Sequence, residues 1–197
     1  MISRMETLVR GPCLRGAGAY IRSIDPKLAQ QIEAKYTPEM LHAVHESGPK
    51  DWVPVAVWKD ALDAIVAAQP NIEAGRAAIR SVGRFICEGT VNSFLRLLMR
   101  IMTPRLFAEK SGSMIARDFA GFSGGGPDYH FTVDDDKRVV MLEIRNAGKH
   151  PYLGGTGQGF CEFAFQYMGK KNVLIDEPDC PLDDWQPEHL RWRISWS

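Results

Sequence analysis

Apolar residues recur at helical spacing through the first two-thirds of the chain and at alternate positions near its end. Asp25-Pro26 combines a capping side chain with a proline at the first helical position, which opens a helix through about Tyr36. Thr37-Pro38 followed by Glu39 repeats the device, and this second helix ends near Ser47-Gly48-Pro49. From Trp52 to Ala68, Val53, Val57, Trp58, Ala61, Leu62, Ile65 and Val66 share one helical face, and Pro70 stops the run.

The most regular stretch is Ile72 to Met102, where Arg76, Arg80, Arg84, Glu88, Asn92, Arg96 and Arg100 fall every four residues among apolar neighbours. This predicts one long amphipathic helix, about 72–102, or two helices bent at Gly89. Its apolar arc is wide enough to expect a sheet on one side and a partner on the other. Thr103-Pro104 caps a further helix through about Phe119. Residues 1–20 are expected to be weakly β-like, with Gly11, Gly16 and Gly18 breaking any helix.

Beyond Pro127 the period becomes two. Tyr129–Val133 reads as a strand, Asp134–Lys137 as a turn and Arg138–Arg145 as the hairpin mate. Gly148–Gly159 reads as a glycine-rich loop leading into a short aromatic helix, Phe160–Met168. Asn172–Glu177 and Leu190–Trp196 are the remaining strands; in the last, Leu190, Trp192, Ile194 and Trp196 share a face. Helices first and antiparallel strands later define an α+β class. The expected architecture is a layer of helices on one face of a four-stranded, up-and-down antiparallel sheet. One domain is expected over residues 1–197, with an N-terminal helical part (1–70) and an α+β part (72–197).

Composition narrows the function classes. The 197 residues are 45% hydrophobic and carry 24 basic and 24 acidic side chains. A balanced charge gives no support to a nucleic-acid or anionic-membrane role, and the arginine stripe reads as a solvated helix face. Cys13, Cys87, Cys161 and Cys180 form no CxxC pair, which argues against a zinc ribbon or thioredoxin-like chemistry and for reduced, buried thiols. Charges at Arg4, Glu6, Arg10 and Arg15 interrupt any signal-peptide core, and no apolar run reaches the roughly 18 residues of a membrane span. A soluble, cytoplasmic protein without membrane insertion is the expectation.

Candidate chemistry is sparse. Gly154-Gly155-Thr156-Gly157-Gln158-Gly159 resembles a phosphate loop, but it lacks the Lys-Ser/Thr of a Walker loop, and close helix packing explains the small residues better. Asp134-Asp135-Asp136 lacks calcium-loop spacing and reads as a solvated turn. His42, His45, His130, His150 and His189 are candidate metal or haem ligands; His42 and His45, three apart on a helix, could share a metal. Cys161 with a distant histidine such as His130 is the candidate nucleophile pair, with Glu177 a further suspect. Glu177-Pro178-Asp179-Cys180 places a carboxylate and a thiol three apart in a turn, with only His189 nearby as another ligand.

The order of several motifs carries a resemblance. Gly11–Tyr20, Asp51-Trp52-Val53-Pro54, Gly83-Arg84-Phe85 and Met102-Thr103-Pro104-Arg105 precede a glycine-rich hairpin, a Gly-bounded helix and a final strand–turn–strand close holding Glu177 and Cys180. Together they resemble a family of about 200-residue bacterial paralogues best known from myxobacteria. Residues 72–197 are similar to the 4-vinyl reductase domain, part of a wider group that includes TRAPP-type subunits and haem–nitric-oxide-binding domains. The resemblance implies helices on one antiparallel sheet, dimerisation through the long helix, and apolar small molecules held between sheet and helices. Some phenol-sensing members bind zinc near the final hairpin. Here Glu177 and Cys180 stand at the matching turn, but Leu190, and Tyr152 or Leu153, replace expected cysteines, so the metal site is degenerate. No proximal-histidine helix or propionate-binding Tyr-x-Ser-x-Arg is visible, and no cofactor is expected.

The resulting expectation is a non-enzymatic homodimeric module that binds a small apolar ligand or scaffolds a protein partner. Its hypothetical groove is lined by Phe119, Tyr129, Phe131, Phe160, Phe163, Tyr167, Trp192 and Trp196. The alternatives are a haem- or metal-binding sensor, or an enzyme using Cys161 and His130.

Overall fold

The computed structural model describes residues 7–90, 99–120, 128–145, 152–176 and 189–197, without the side chains of Ser111 and residues 114–120. The chain opens with strand β1 (Leu8–Arg10), which runs straight into helix α1 (Gly11–Ser23). The glycines expected to prevent a helix lie inside it. Two of them stand where another element touches α1: a Cβ on Gly16 would be 2.3 Å from the Ile86 side chain, and one on Gly18 would be 2.5 Å from the Val44 carbonyl. Tertiary contact thus overrides an intrinsic cost of about 1 kcal/mol per glycine.

Helix α2 (Pro26–Glu33) is capped by the Asp25 carboxylate and α3 (Pro38–Glu46) by the Thr37 hydroxyl, as their sequences predict. Trp52–Pro54 forms strand β2 rather than the first turn of a helix, and α4 spans Val55–Ala67. The reason is long-range pairing together with a local restraint: β1 pairs antiparallel with β2, and Pro54, held extended at ψ 134°, delays the helix by one residue beyond itself. Helix α5 (Ile72–Thr90) starts at Asn71, whose side-chain oxygen accepts from the Ala74 amide at 2.9 Å. Of the expected long helix, residues 91–98 lie outside the described residues, and 99–101 are helical. Helix α6 (Pro104–Asp118) is capped by Thr103 and followed by the short strand β3 (Phe119–Ala120).

The second half contributes β4 (Asp128–Asp134), β5 (Val139–Arg145), helix α7 (Leu153–Tyr167), β6 (Leu174–Asp176) and β7 (His189–Ser195). The expected four-stranded antiparallel sheet is present, but its order is β4-β5-β7-β6. It is therefore not up-and-down: the chain leaves β5, passes through α7 to the edge strand β6, and returns between the two as β7. A three-stranded sheet, β2-β1-β3, is separate from it; only β1 falls in a stretch expected to be β-like, and β2 and β3 fall where helix is expected. Val9 pairs with both Val53 and Phe119 in it.

Two hydrophobic cores result. One joins α1–α4 to α5 through Leu14, Ile21, Val44, Trp58, Leu62 and Ile65, with Ile79, Val82 and Ile86 supplied by α5. The other lies between the sheet and α6–α7, built on Phe107, Leu142, Ile144, Phe165, Trp192 and Ile194, with Cys87 supplied by α5. Fully burying each of these large side chains is worth about 1.5–3 kcal/mol. The wide apolar arc of the helix beginning at Ile72 has, over residues 72–90, an explanation within the chain: α5 is clasped between α1 and α4 on one side and α7 on the other.

Candidate functional site

The contact between α5 and α7 is the most extensive between any two described elements, and it is made backbone to backbone. A Cβ on Gly83 would lie 1.9 Å from the Thr156 carbonyl oxygen, and one on Gly159 would lie 1.8 Å from that of Arg80. Gly155 faces Ile79, and Gly157 carries the Trp192 ring at 3.0 Å from where its Cβ would be. Gly154–Gly159 is thus the first half of a helix, not a loop before one, and its small residues serve close helix packing rather than phosphate. The start of α7 is set by Tyr152, which adopts a left-handed backbone (φ 63°) and is buried. Its hydroxyl donates a short hydrogen bond to Asp63 of α4, which also receives Lys59 Nζ at 2.5 Å. Burial, with Asp63 beside it, pushes the Tyr152 hydroxyl far up, so it stays a donor.

Around this crossing, at the joint between the helices and the sheet, three neutral polar groups are buried together. Cys87 is fully buried on α5, Cys161 is buried on α7, and Tyr129 projects from β4 with its ring against Gly112 of α6. Desolvation by burial pushes the Cys161 thiol up to about 12 and also raises Cys87 and Tyr129 well above their ordinary values; Cys161 adds a smaller contribution to both. All three therefore remain protonated at neutral pH. Tyr129 Oη is closed off from solvent and meets no hydrogen-bond partner among the described residues. A buried hydroxyl left unmatched costs about 1–3 kcal/mol, so its persistence calls for a physical reason.

The expected aromatic groove residues do not all gather at this joint. Tyr129, Phe163, Tyr167, Trp192 and Trp196 belong to the sheet-side core, and Phe160 touches both cores. Phe131 points by register to the same side as Leu142 and Trp192 yet is 39% exposed, because β4 is the edge strand. Phe119 pairs with Val9 in the other sheet, and its side chain lies outside the described residues. Phe107 and Phe165, 5.5 Å apart edge to face, form a buried aromatic centre that no spacing in the sequence singles out. The arginine stripe is solvent-exposed at Arg84 and Arg100, which lie over Phe163 at 5.4 Å and Tyr167 at 6.0 Å, and partly covered at Arg76 and Arg80.

The titratable candidates are dispersed. His42 pairs with Glu46 and His45 with Glu33, so the two histidines of α3 turn to separate carboxylates. His130 faces outward from the sheet beside Asp128, whereas Cys161 is buried on the opposite side; they do not form a nucleophile–base pair. His189 donates from Nε2 to the Glu143 carboxylate at 2.9 Å, and Arg145, the stronger influence, holds the Glu143 carboxyl below its usual range. Glu177, Cys180 and His150 lie outside the described residues. Among the described residues no three metal-ligating side chains cluster, and no helix is long and apolar enough to cross a membrane.

Comparison with known proteins places the architecture. No protein-family model and no curated protein sequence matches the chain. Solved structures do. An H-NOX protein from S. oneidensis in an Fe(II)NO ligation state superposes with a TM-score of 0.65 at 9% identity, over 95% of this chain and 99% of that one. An Fe(II) unliganded H-NOX mutant from K. algicida gives 0.64 at 8% identity, over 95% and 96%. An oxygen-binding H-NOX domain related to soluble guanylate cyclases gives 0.62 at 11% identity, over 95% of each chain. The chain therefore has an H-NOX-like α+β fold, in agreement with the haem–nitric-oxide-binding side of the resemblance read from its sequence.

Proposed function

We propose that this chain is a sensor domain that holds a small ligand at the joint between α5, α6, α7 and β4. The observation that carries the reading is the buried Tyr129 hydroxyl, which a ligand would satisfy in a core otherwise made of aliphatic side chains, thiols and rings. Its neutral, protonated surroundings favour an uncharged, largely apolar molecule with one hydrogen-bonding group. The hypothetical contacts are those of the groove, Tyr129, Phe160, Phe163, Tyr167 and Trp192, with Phe131 at its margin; Phe119 is a candidate from the sequence alone.

A second reading, a haem-based gas sensor, is favoured by the likeness to H-NOX structures in Fe(II)NO and oxygen-complexed states. The described side chains do not fit a histidine-held haem: His42, His45, His130 and His189 all lie away from the joint, each beside a carboxylate. The 4-vinyl-reductase-like character of residues 72–197, self-association through the helix beginning at Ile72, and a regulatory or scaffolding role toward a protein partner belong to the same proposal.

The test is direct. Protein purified without denaturation is extracted into organic solvent for mass spectrometry, and its absorption spectrum is recorded before extraction. A stoichiometric organic compound that is lost in Tyr129→Phe supports the first reading; a Soret band supports the second. Neither compound nor Soret band in correctly folded protein overturns the sensor reading.

A further inference from the structure

A different hollow, away from the joint, lies between α1 and α5 on the helical side of the molecule. It encloses about 390 Å³, at the lower end of the range of small-molecule sites. Its floor is apolar, with Pro12 and Ala19 from α1 and Phe85 from α5. Arg15 and Arg22 stand two turns apart on the α1 wall, and Glu88 stands on the α5 wall. Arg15 is half-buried and makes no ion pair among the described residues, nor does Glu88. Arg22 has only a long contact, 3.4 Å, to Nδ1 of His45.

We propose that this groove binds an apolar carboxylate: a monoanion with a short hydrocarbon tail. Two guanidiniums against a single carboxylate leave an excess positive charge facing an apolar floor. A guanidinium recognises a carboxylate through paired hydrogen bonds, and Arg15, half-removed from water, gains most from such a partner. The tail then covers Phe85 and Ala19. Glu88 sets the charge limit, since a second negative group at the α5 wall meets like charge.

Octanoate is the probe, with 1-octanol as the uncharged control, titrated into the full chain by calorimetry and by backbone-amide NMR. Expected are saturable octanoate binding with amide shifts at α1 and Phe85, at least fivefold weaker binding in Arg15→Gln, tighter binding in Glu88→Gln, and weakening as salt rises. Octanol should bind at least fivefold more weakly. Thermal unfolding of each variant checks that the fold is kept. Three results overturn the proposal: no saturation, an affinity unmoved by Arg15→Gln and Arg22→Gln in folded protein, or binding lost in Tyr129→Phe. The last would assign octanoate to the joint instead and leave the sensor reading standing.

Discussion

Replacing Gly83 by alanine tests the backbone-to-backbone crossing of α5 and α7. The new Cβ would stand 1.9 Å from the Thr156 carbonyl oxygen and 2.6 Å from its carbon. Both are backbone atoms of another helix, so no side chain can swing aside, and the helices must part by more than about 1 Å to reach normal contact. Overpacking of this kind costs about 1–3 kcal/mol or more, and the parted helices also lose contacts along the rest of their length. Alanine returns about 1 kcal/mol of helix propensity. With the lost contacts counted, the expected net loss is about 1–2 kcal/mol, a fall in Tm of roughly 2–8 °C for a chain of this size. Gly89 supplies the control on the same helix: nothing lies within 4 Å of its Cβ position, so Gly89→Ala should stabilise by up to about 1 kcal/mol. Thermal and urea unfolding followed by circular dichroism reads both. A Gly83→Ala protein as stable as the parent would show that the two helices do not cross this closely. Gly159→Ala should cost a similar amount, and the double variant less than the sum, because one separation relieves both clashes.

Removing the Tyr152 hydroxyl with Tyr152→Phe should destabilise by about 1–2 kcal/mol, since Asp63 loses a short hydrogen bond that joins α4 to the start of α7; urea unfolding with an unchanged m-value would show it. The thiols of Cys87 and Cys161 should resist alkylation in the folded protein at neutral pH and react on unfolding; rapid labelling of either under native conditions would contradict their burial. Stability should fall as pH rises above about 9. The folded chain retains the Cys161 proton up to about 12 while the unfolded chain releases it near 9.0, so the contribution is complete below 9 and lost by about 12. Urea midpoints from pH 7 to 11 should decline, and Cys161→Ala should flatten the decline; a midpoint rising with pH would refute the assignment.

Much of this architecture is legible in local signals. Asp25, Thr37 and Thr103 cap the helices their sequences announce, and the alternation of Leu190, Trp192 and Ile194 marks a strand with a buried face. The misses have one cause. Gly16 reads locally as a helix breaker and Gly159 as a loop residue, yet each sits where two helices touch, and only the partner helix reveals why a missing side chain is an advantage. Likewise, β1 and β2 are three residues each and take their identity from pairing across more than forty positions. The site is less legible still. Tyr129 is conspicuous only because its hydroxyl is buried without a partner among the described residues, a property no spacing rule encodes. Cys87 and Cys161, 74 residues apart, approach through the helix crossing alone.

Helix α5 gives Ile79, Val82 and Ile86 to one core and Cys87 to the other. Severing the chain after Pro70 would strip the N-terminal bundle of one wall and leave the sheet-bearing remainder with an oily flank open to water. The two portions cannot be exchanged like cassettes between relatives, and a molecule that tilts α5 from one side is felt on the other.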